Sequence, residues 1–434
     1  MIYHLFDFLK DYDIPGQGLF NYLSFRAILS FTIALLFSIV AGKKIIGWIQ
    51  KKQIGEEIRD LGLEGQMQKK GTPTMGGIII FLSILIPVLL FADLTNIYII
   101  LLIVSAVWFF LVGFADDYIK VFKKNKEGMS ERTKLVAQCL LGLAIGIAVC
   151  FSEDIVVREK VLVEETVTVT AESPDGVTST ELVKAVEKHD VIKSTKTTIP
   201  FIKNHEFDYS WLSPFKGTWG WYCKWAIYVL MIILVITACS NGVNLTDGID
   251  GLATGTSAIV GVVLGIFAWL SGNILNAEYL NIMYIPGSGE IAVFMAAFVG
   301  ALIGFLWYNA YPAQVFMGDT GSLSIGGIIA VIAILIHKEI LLVLLCGVFV
   351  AENLSVMAQV AYYKSGKRKG IKQRLFRRAP LHHHYNIGEE KLDKECTYLF
   401  KGPERPLHEA KITLRFWIVT IVMAVITLMT LKIR

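Results

Sequence analysis

Five aspartates stand in the polar segments that border long apolar stretches of this 434-residue chain: Asp116, Asp117, Asp247, Asp250 and Asp319. A carboxylate beside a bilayer is costly to hold unless it pairs with a cation or lines a wet cavity. Each of the five has Gly, Asn, Thr or Lys close by. One anionic pocket able to hold a divalent metal against the membrane would account for all of them. The pattern therefore favours an integral membrane enzyme.

The segment Asp116–Lys120 (DDYIK) lies where an apolar stretch meets a basic loop. Two adjacent carboxylates repel each other unless a cation lies between them, and a nearby lysine can bind phosphate. The alternative is an interfacial charge cap that only ends the helix.

The segment Asn244–Gly251 (NLTDGIDG) holds two Asp-Gly pairs. Glycine permits tight turns and a close approach of the backbone to a ligand. Asn, Thr and Asp also make local turn and capping hydrogen bonds, so a plain N-cap for the next span is the alternative. Two such pairs exceed what capping requires, and we expect a binding role.

The segment Phe316–Ser322 (FMGDTGS) is typical of a phosphate- or metal-binding turn at the start of a helix, where backbone N–H groups favour anions. Asp319 could give a hard oxygen ligand to Mg²⁺, which often takes one or two carboxylates. Asn309 begins the same loop. An N-cap is again the alternative.

Three consecutive histidines, His382, His383 and His384, follow Pro380-Leu381. They cannot all face one point on a helix, so we do not expect a three-ligand zinc site from this run alone. We expect the imidazoles to contact phosphate or sugar groups, with Arg374, Arg377 and Arg378 adding phosphate contacts. A patch attracted to anionic lipid is the alternative.

A glycine-containing segment, Lys69–Gly77 (KKGTPTMGG), precedes the second apolar stretch. Its Lys and Thr suit a phosphate or nucleotide, but its glycines would equally allow close packing of membrane helices. The segment is ambiguous by itself.

The elements that must position these residues are membrane helices. The chain is 54% hydrophobic and 18% charged, and the apolar residues form runs near the roughly 20 residues that a spanning helix needs. We predict an all-α polytopic membrane protein, residues 1–434 forming a single membrane domain with about ten spans. The predicted spans are 19–42, 75–92, 97–115, 135–151, 221–240, 252–270, 291–308, 322–337, 340–362 and 412–430.

Basic residues set the orientation, because cytoplasmic loops carry an excess of Lys and Arg. They concentrate in the loops after the first, third and ninth spans, whereas the short loops 93–96 and 271–289 contain neither Lys nor Arg. The odd-numbered loops are therefore predicted to be cytoplasmic, and every candidate residue falls in them. This topological bias explains why Lys and Arg outnumber Asp and Glu in the chain. We therefore do not expect nucleic-acid binding.

The stretch 152–220, between the fourth and fifth spans, interrupts the apolar pattern. Residues 161–170 alternate Val and Thr with Glu, and Ser173-Pro174-Asp175-Gly176 is a turn signal. We predict a small extramembrane insertion, β-rich or α/β, on the outer side.

Taken together, the motifs resemble those of the bacterial phospho-N-acetylmuramoyl-pentapeptide transferases, within the polyprenyl-phosphate N-acetylhexosamine-1-phosphate transferase superfamily. The resemblance is carried, in family order, by residues 72–77, 116–120, 244–251, 316–321 and 380–384. The segments 152–220 and 385–411 are longer than the compact family pattern.

The resemblance implies transfer of phospho-MurNAc-pentapeptide from UDP to undecaprenyl phosphate, giving lipid I and UMP with Mg²⁺, in the bacterial cytoplasmic membrane with the site facing the cytoplasm. A homodimer is also implied. Asp319 would be the metal ligand, with Asp116 and Asp117 as further candidates for metal or lipid phosphate. Asp247, Asp250, Asn309, Phe316 and Lys69 would bind the nucleoside, with Thr74 and Asn244 also substrate-binding. Lys120, Lys134, His382, His383 and His384 would contact phosphates or sugar. The residues that the resemblance implies as catalytic are Asp116, Asp117, Asp319, Lys120, Lys134 and His383.

A phosphate monoester has a second pKa of about 6, so the acceptor lipid needs little deprotonation near neutral pH. We therefore expect a single displacement without a covalent aspartyl intermediate. Two alternatives stay open: a GlcNAc-1-phosphate transferase acting on the same lipid, and a lipid-phosphate transporter. The Pro-Leu-His-His-His run favours the muramoyl enzyme over the first. Release of UMP would distinguish an enzyme from the second.

Overall fold

The structure is a computed structural model, and it describes residues 1–9, 16–52, 71–125, 127–173, 176–200 and 206–431. For Asp7 and residues 160–189 it describes the backbone only. The chain folds mainly into helices. Those of the first half are α1 Ile2–Phe8, α2 Leu23–Lys52, α3 Gly77–Phe91, α4 Ile97–Phe122 and α5 Glu131–Phe151. Those of the second half are α6 Gly217–Thr246, α7 Leu252–Ser271, α8 Ile274–Leu280, α9 Gly289–Asn309, α10 Gly318–Leu335, α11 Leu341–Leu345, α12 Gly347–Arg368, α13 Leu381–Asn386 and α14 Glu409–Met429.

Eight helices in the described ranges are long and apolar enough to cross a membrane: α2, α4, α5, α6, α7, α9, α10 and α14. The predicted span 75–92 is the shorter apolar helix α3, which contains Pro87. The predicted span 340–362 is not one helix, because the chain breaks at Cys346 between α11 and α12. The polytopic all-α prediction is confirmed.

The centre of the bundle is α10, which is buried from Thr320 to Leu335. A helix that is apolar on all sides belongs inside a large assembly of helices. Helices α4, α6 and α3 pack around it, while α9 packs between α2 and α7. Close approach depends on glycine: a Cβ on Gly113 of α4 would lie 2.3 Å from the carbonyl oxygen of Asp319. The first turn of α10 therefore contacts the backbone of α4 directly.

The segment between α5 and α6 is β-rich, as predicted. Strands β1 Val157–Ser173 and β2 Gly176–Ile192 form an antiparallel hairpin in which Ser173 pairs with Gly176. Two short strands, β3 Lys196–Thr198 and β4 Glu206–Asp208, pair antiparallel beside it.

The β3 strand docks against the loop between α10 and α11. The carbonyl oxygen of His337 accepts a hydrogen bond from the backbone N–H of Thr198 at 3.0 Å, and His337 Nδ1 lies 2.8 Å from the carbonyl oxygen of Lys196. His337, Lys338 and Glu339 are all buried at this junction.

After α12, the two-residue strands β5 Gln373–Arg374 and β6 Thr397–Tyr398 pair in parallel. Helix α13 lies between these two strands in the sequence. Arg377 is buried here, and its guanidinium donates to the carbonyl oxygens of Ile387 and Pro403 and to Glu389. Arg377 therefore holds the 385–411 segment together, and its expected phosphate contact stays a prediction.

Candidate active site

Three carboxylates meet where α4 ends and α10 begins. Asp116 and Asp117 lie near the end of α4, and Asp319 lies in the first turn of α10. One oxygen of each lies within 4.8 Å of the others. Three of the five aspartates expected in one pocket therefore form an anionic cluster, although they lie about 200 positions apart in the chain; among the described residues, Asp247 and Asp250 are not part of it.

Asp117 faces the start of α10. Its Oδ1 accepts a hydrogen bond from the backbone N–H of Asp319 at 3.1 Å, and its Oδ2 accepts from the backbone N–H of Thr320 at 2.8 Å and from the Thr320 hydroxyl. The first N–H groups of a helix lack partners within the helix and carry partial positive charge. Asp117 thus caps α10 from a neighbouring helix and fixes the backbone of Asp319.

Asp116 and Asp319 share two lysines. Lys120 Nζ lies 2.6 Å from Asp116 Oδ2 and 3.1 Å from Asp319 Oδ2. Lys134 Nζ lies 3.0 Å from Asp116 Oδ1 and also donates to Asp319 Oδ2. The Asp116 side chain is 0% exposed and that of Asp319 15%. At such burial each carboxylate needs its ammonium partners, because an isolated buried charge is very unfavourable.

The loop between α4 and α5 brings Lys134 to this cluster. Ser130 caps α5 by accepting from the backbone N–H of Thr133, and the backbone N–H of Met129 donates to Asp116 Oδ1 at 2.7 Å. Gly128 has φ +66°, and a Cβ there would lie 2.6 Å from Asp116 Oδ1. The loop can wrap this closely because glycine accepts a positive φ without strain.

Asn244, near the end of α6, joins the same cluster. Its amide Nδ2 donates to Asp319 Oδ1 at 2.8 Å and to Ser322 Oγ at 2.9 Å. Asn244 was expected among the substrate-binding residues, and here it contacts the predicted metal ligand.

The Gly-rich entry to α3 runs beside the start of α10. The backbone N–H groups of Gly76 and Gly77 donate to the carbonyl oxygens of Phe316 and Met317, and the N–H of Phe316 donates to Pro73. A Cβ on Gly77 would lie 2.2 Å from the backbone nitrogen of Gly321. These glycines therefore serve backbone-to-backbone packing, and Thr74, 8% exposed, lies within that contact.

Asp250 and Asn309 form a second polar group around the loop between α9 and α10. Asp250 Oδ2 accepts from the backbone N–H of Ala313 at 3.0 Å. Asn309 accepts from the Thr254 hydroxyl at 2.8 Å and donates to the carbonyl oxygen of Val315. Asp247 lies at the end of α6. Asp250 and Asn309, two of the residues expected to bind the nucleoside, thus fix this loop.

The three histidines lie in α13 and are all buried. His382 lies against Glu352 of α12, and His384 Nδ1 accepts from the backbone N–H of Arg377 at 3.1 Å. Burial and the neighbouring Arg377 lower the pKa of His384. The predicted Lys69 lies outside the described residues.

Glu352 is a polar residue that the motif analysis missed. It lies in α12, is 0% exposed, and accepts a hydrogen bond from the backbone N–H of His382 at 3.2 Å. A charged residue inside a predicted span is itself a signal of function, and this signal could have identified it.

The cluster has the donor chemistry that Mg²⁺ requires. Mg²⁺ takes oxygen ligands and commonly uses one or two carboxylates beside water and phosphate. Asp116 and Asp319 both face one point, which the two ammonium groups share, whereas Asp117 is turned toward α10. The residues fit a hard divalent cation at this position.

Two family models match the chain. The model described as glycosyl transferase family 4 covers residues 191–337. The model described as phospho-N-acetylmuramoyl-pentapeptide-transferase signature 1 covers residues 69–81.

Curated relatives match from end to end. Proteins named phospho-N-acetylmuramoyl-pentapeptide-transferase are 52% identical in Phocaeicola vulgatus, 53% in Parabacteroides distasonis and 52% in Bacteroides fragilis, with 100% of both chains covered in each case. The chain belongs to the phospho-N-acetylmuramoyl-pentapeptide-transferase family. The resemblance drawn from the five motifs is confirmed. Because these relatives align over their whole length, the long segments 152–220 and 385–411 fall within the aligned region.

Proposed function

We propose that this chain transfers phospho-MurNAc-pentapeptide from UDP-MurNAc-pentapeptide to undecaprenyl phosphate, giving lipid I and UMP in the first membrane step of peptidoglycan synthesis. Membership of the transferase family supports the reaction. The observation that carries the chemistry is the buried cluster in which Lys120 and Lys134 both contact Asp116 and Asp319.

Both substrates are anionic, so attack of a phosphate on a pyrophosphate needs charge neutralisation and positioning more than covalent help. Lys120 and Lys134 can turn from the carboxylates to phosphate oxygens and neutralise charge on the reacting groups. Mg²⁺ held by Asp319 and Asp116 would supply further neutralisation of pyrophosphate charge. Asp117 holds the N-terminus of α10 and so positions Asp319; we propose this role in place of the contact with metal or lipid phosphate that the family resemblance implies.

The acceptor is a phosphate monoester whose second pKa is about 6, so it can attack directly near neutral pH. We propose a single displacement in which Asp116 positions the lipid phosphate. The test is acid quenching of the enzyme with labelled UDP-MurNAc-pentapeptide and no lipid acceptor. Label bound covalently to any aspartate would overturn the single displacement.

The nucleotide half of the donor is assigned to the second polar group. Asp247, Asp250, Asn309 and Phe316 lie on the loops that flank the cluster, and Lys69, Thr74 and the α13 histidines complete the proposed substrate contacts. The basic loops after α2, α4 and α12 support a site on the cytoplasmic face of the bacterial inner membrane. Assembly as a homodimer is proposed by family resemblance.

The deciding experiment uses the purified full chain with Mg²⁺, undecaprenyl phosphate and either UDP-MurNAc-pentapeptide or UDP-GlcNAc, with UMP as the product measured. We expect UMP from the muramoyl donor, its loss on chelation and its return with added Mg²⁺. UMP from UDP-GlcNAc alone would assign the chain to the sister reaction. No UMP from either donor would favour a transporter.

A further inference from the structure

Glu352 of α12 and His382 of α13 form a buried carboxylate–imidazole pair about 30 residues apart in the chain. Both side chains are 0% exposed, and Glu352 Oε1 lies 3.3 Å from His382 Nδ1. The same oxygen accepts the backbone N–H of His382 at 3.2 Å. Glu352 therefore accepts a hydrogen bond from the backbone of this histidine and places the same carboxylate oxygen beside the ring nitrogen Nδ1.

The far side of the ring packs against the loop between α6 and α7. A Cβ on Gly248 would lie 2.2 Å from His382 Nε2 and 2.8 Å from its Cε1. Only a residue without a side chain leaves room for the imidazole there. The ring thus lies between Glu352 and the Asp247–Gly251 loop.

The same loop rests on α13 and α14 through apolar contacts. Ile249 is buried with Leu252 and with Ile412 of α14, and Tyr385 of α13 packs against them. The hydroxyl of Thr413 donates to the carbonyl oxygen of Asp250 at 3.0 Å. Because Tyr385 and His382 belong to one short helix, the position of α13 and that of the loop are linked.

The protonation of the ring follows from its neighbours. A carboxylate that faces one ring nitrogen favours a proton on that nitrogen. With the proton on Nδ1, a neutral imidazole presents the Nε2 lone pair to the loop. Within the described part of the chain neither Nδ1 nor Nε2 has a partner in hydrogen-bond geometry, so the 3.3 Å approach of Glu352 Oε1 is what distinguishes the two nitrogens.

We propose that Glu352 is a positioning residue for the nucleotide half of the donor: it fixes the ring of His382 with the proton on Nδ1, and the ring sets the conformation of the Asp247–Gly251 loop. This rests on the proposed function, which places Asp247 and Asp250 at the nucleotide. Glu352 itself touches neither substrate.

The kinetic test compares Glu352→Gln with Glu352→Leu. Glutamine keeps an oxygen that can accept from Nδ1, so the KM for UDP-MurNAc-pentapeptide should stay within about threefold of the wild-type value. Leucine removes the acceptor and should raise that KM by roughly tenfold or more, with the KM for undecaprenyl phosphate within about twofold. The matched control is Glu395→Leu, because the Glu395 side chain is 75% exposed and its carboxylate pairs with the exposed Lys372. A purely structural role would change both KM values alike, and that result or no change would overturn the proposal.

A second measurement is made on the wild-type chain and needs no turnover. Histidines labelled with ¹⁵N in the full wild-type chain report the protonation of each ring nitrogen, and His382 is assigned by the signal lost in His382→Asn. We expect a proton on Nδ1. An unprotonated Nδ1 overturns the proposal even if UMP is released. Conversely, a protonated Nδ1 in a chain that releases no UMP would reject the proposed function but not the pairing of Glu352 with His382.

Discussion

Asp117 and Thr320 are joined by two hydrogen bonds, since Asp117 Oδ2 accepts both the backbone N–H of Thr320, at 2.8 Å, and its hydroxyl. Neighbouring Asp116 instead faces the lysines. Two consecutive aspartates therefore have different tasks: one holds a helix in place, and the other lies among the groups that would meet the substrates.

The first prediction separates these tasks by changing Thr320 and Asp117. Thr320→Val removes one hydrogen bond to Asp117, which should cost about 1 kcal/mol of folding free energy and leave most of the transferase rate. Asp117→Asn turns donors toward the α10 N–H groups and should lower both Tm and kcat. Thr320→Val should not alter the Mg²⁺ concentration that gives half-maximal rate. A large shift of that concentration in Asp117→Asn with an unchanged Tm would show that Asp117 binds the metal directly instead of holding α10.

The second prediction concerns Lys134, which contacts both Asp116 and Asp319. Lys134→Met leaves two buried carboxylates with one ammonium and removes a phosphate-binding cation, so UMP release should fall by roughly 100-fold or more. Lys134→Arg keeps the charge and should recover part of the rate. Lys123→Met is the matched control, because Lys123 is exposed just after α4. Equal losses at Lys123 and Lys134 would contradict the site.

The third prediction uses the contact between α4 and α10. Gly113→Ala puts a methyl group about where the backbone of Asp319 lies, so the two helices must separate. Such overpacking typically costs about 1–3 kcal/mol. We expect a lower Tm together with a lower kcat, since Asp319 moves with its helix. Gly47→Ala in α2 is the control, because a Cβ there meets nothing within 4 Å; a Gly113 variant that behaves like it would disprove the close contact.

The fourth prediction tests the link between Gly248 and His382. Gly248→Ala should raise the KM for the nucleotide donor because the ring must move. His382→Ala in the same chain removes the obstructing atoms, so the double variant should lose less than the two single losses added together. Residues in contact show such coupling, and distant ones do not. Strict additivity would place the ring away from the loop.

The fifth prediction is a pH dependence at the junction of β3 with the α10–α11 loop. Burial raises the pKa of Glu339 from 4.5 to about 7, outweighing hydrogen bonds and Lys338 that lower it. An acid whose folded pKa is raised destabilises the fold increasingly as pH rises from its unfolded pKa toward its folded one. The effect of Glu339 therefore grows between pH 4.5 and about 7 and is then constant, with a magnitude on the order of 3 kcal/mol.

Glu339→Gln removes this cost, so its Tm should exceed that of the wild type increasingly across the same interval. Burial also lowers the pKa of His337, to about 4, which makes stability rise with pH over an overlapping range. The difference between variant and wild type cancels that contribution. A constant difference in Tm from pH 4.5 to 7 would contradict an ionising Glu339.

The sequence predicted which residues would meet, but not which atoms they would use. Carboxylates at the ends of apolar spans were expected in one pocket because spans bring their ends to common faces, and Asp116, Asp319, Lys120 and Lys134 do meet. The division between Asp116 and Asp117 could not be foreseen, because it depends on the rotation of α4 against α10. Asn244 was expected among the substrate-binding residues, yet its contact with Asp319 depends on where α6 ends.

The break at Cys346 was missed for a related reason. Residues 340–362 are apolar enough to read as one span, and Gly347 alone does not require an interruption. Within the part of the chain that is described, Glu352 is paired with His382, which lies beyond the next basic segment. A pairing over this distance leaves no periodic signal in the sequence.

The hairpin of β1 and β2 has a mechanical consequence. Each strand is 17 residues long, and at about 3.3 Å per residue the ribbon extends for roughly 55 Å. This exceeds the roughly 30 Å thickness of a bilayer core. A probe attached where Ser173 pairs with Gly176 would therefore lie that far along the ribbon from its base, where Val157 pairs with Ile192.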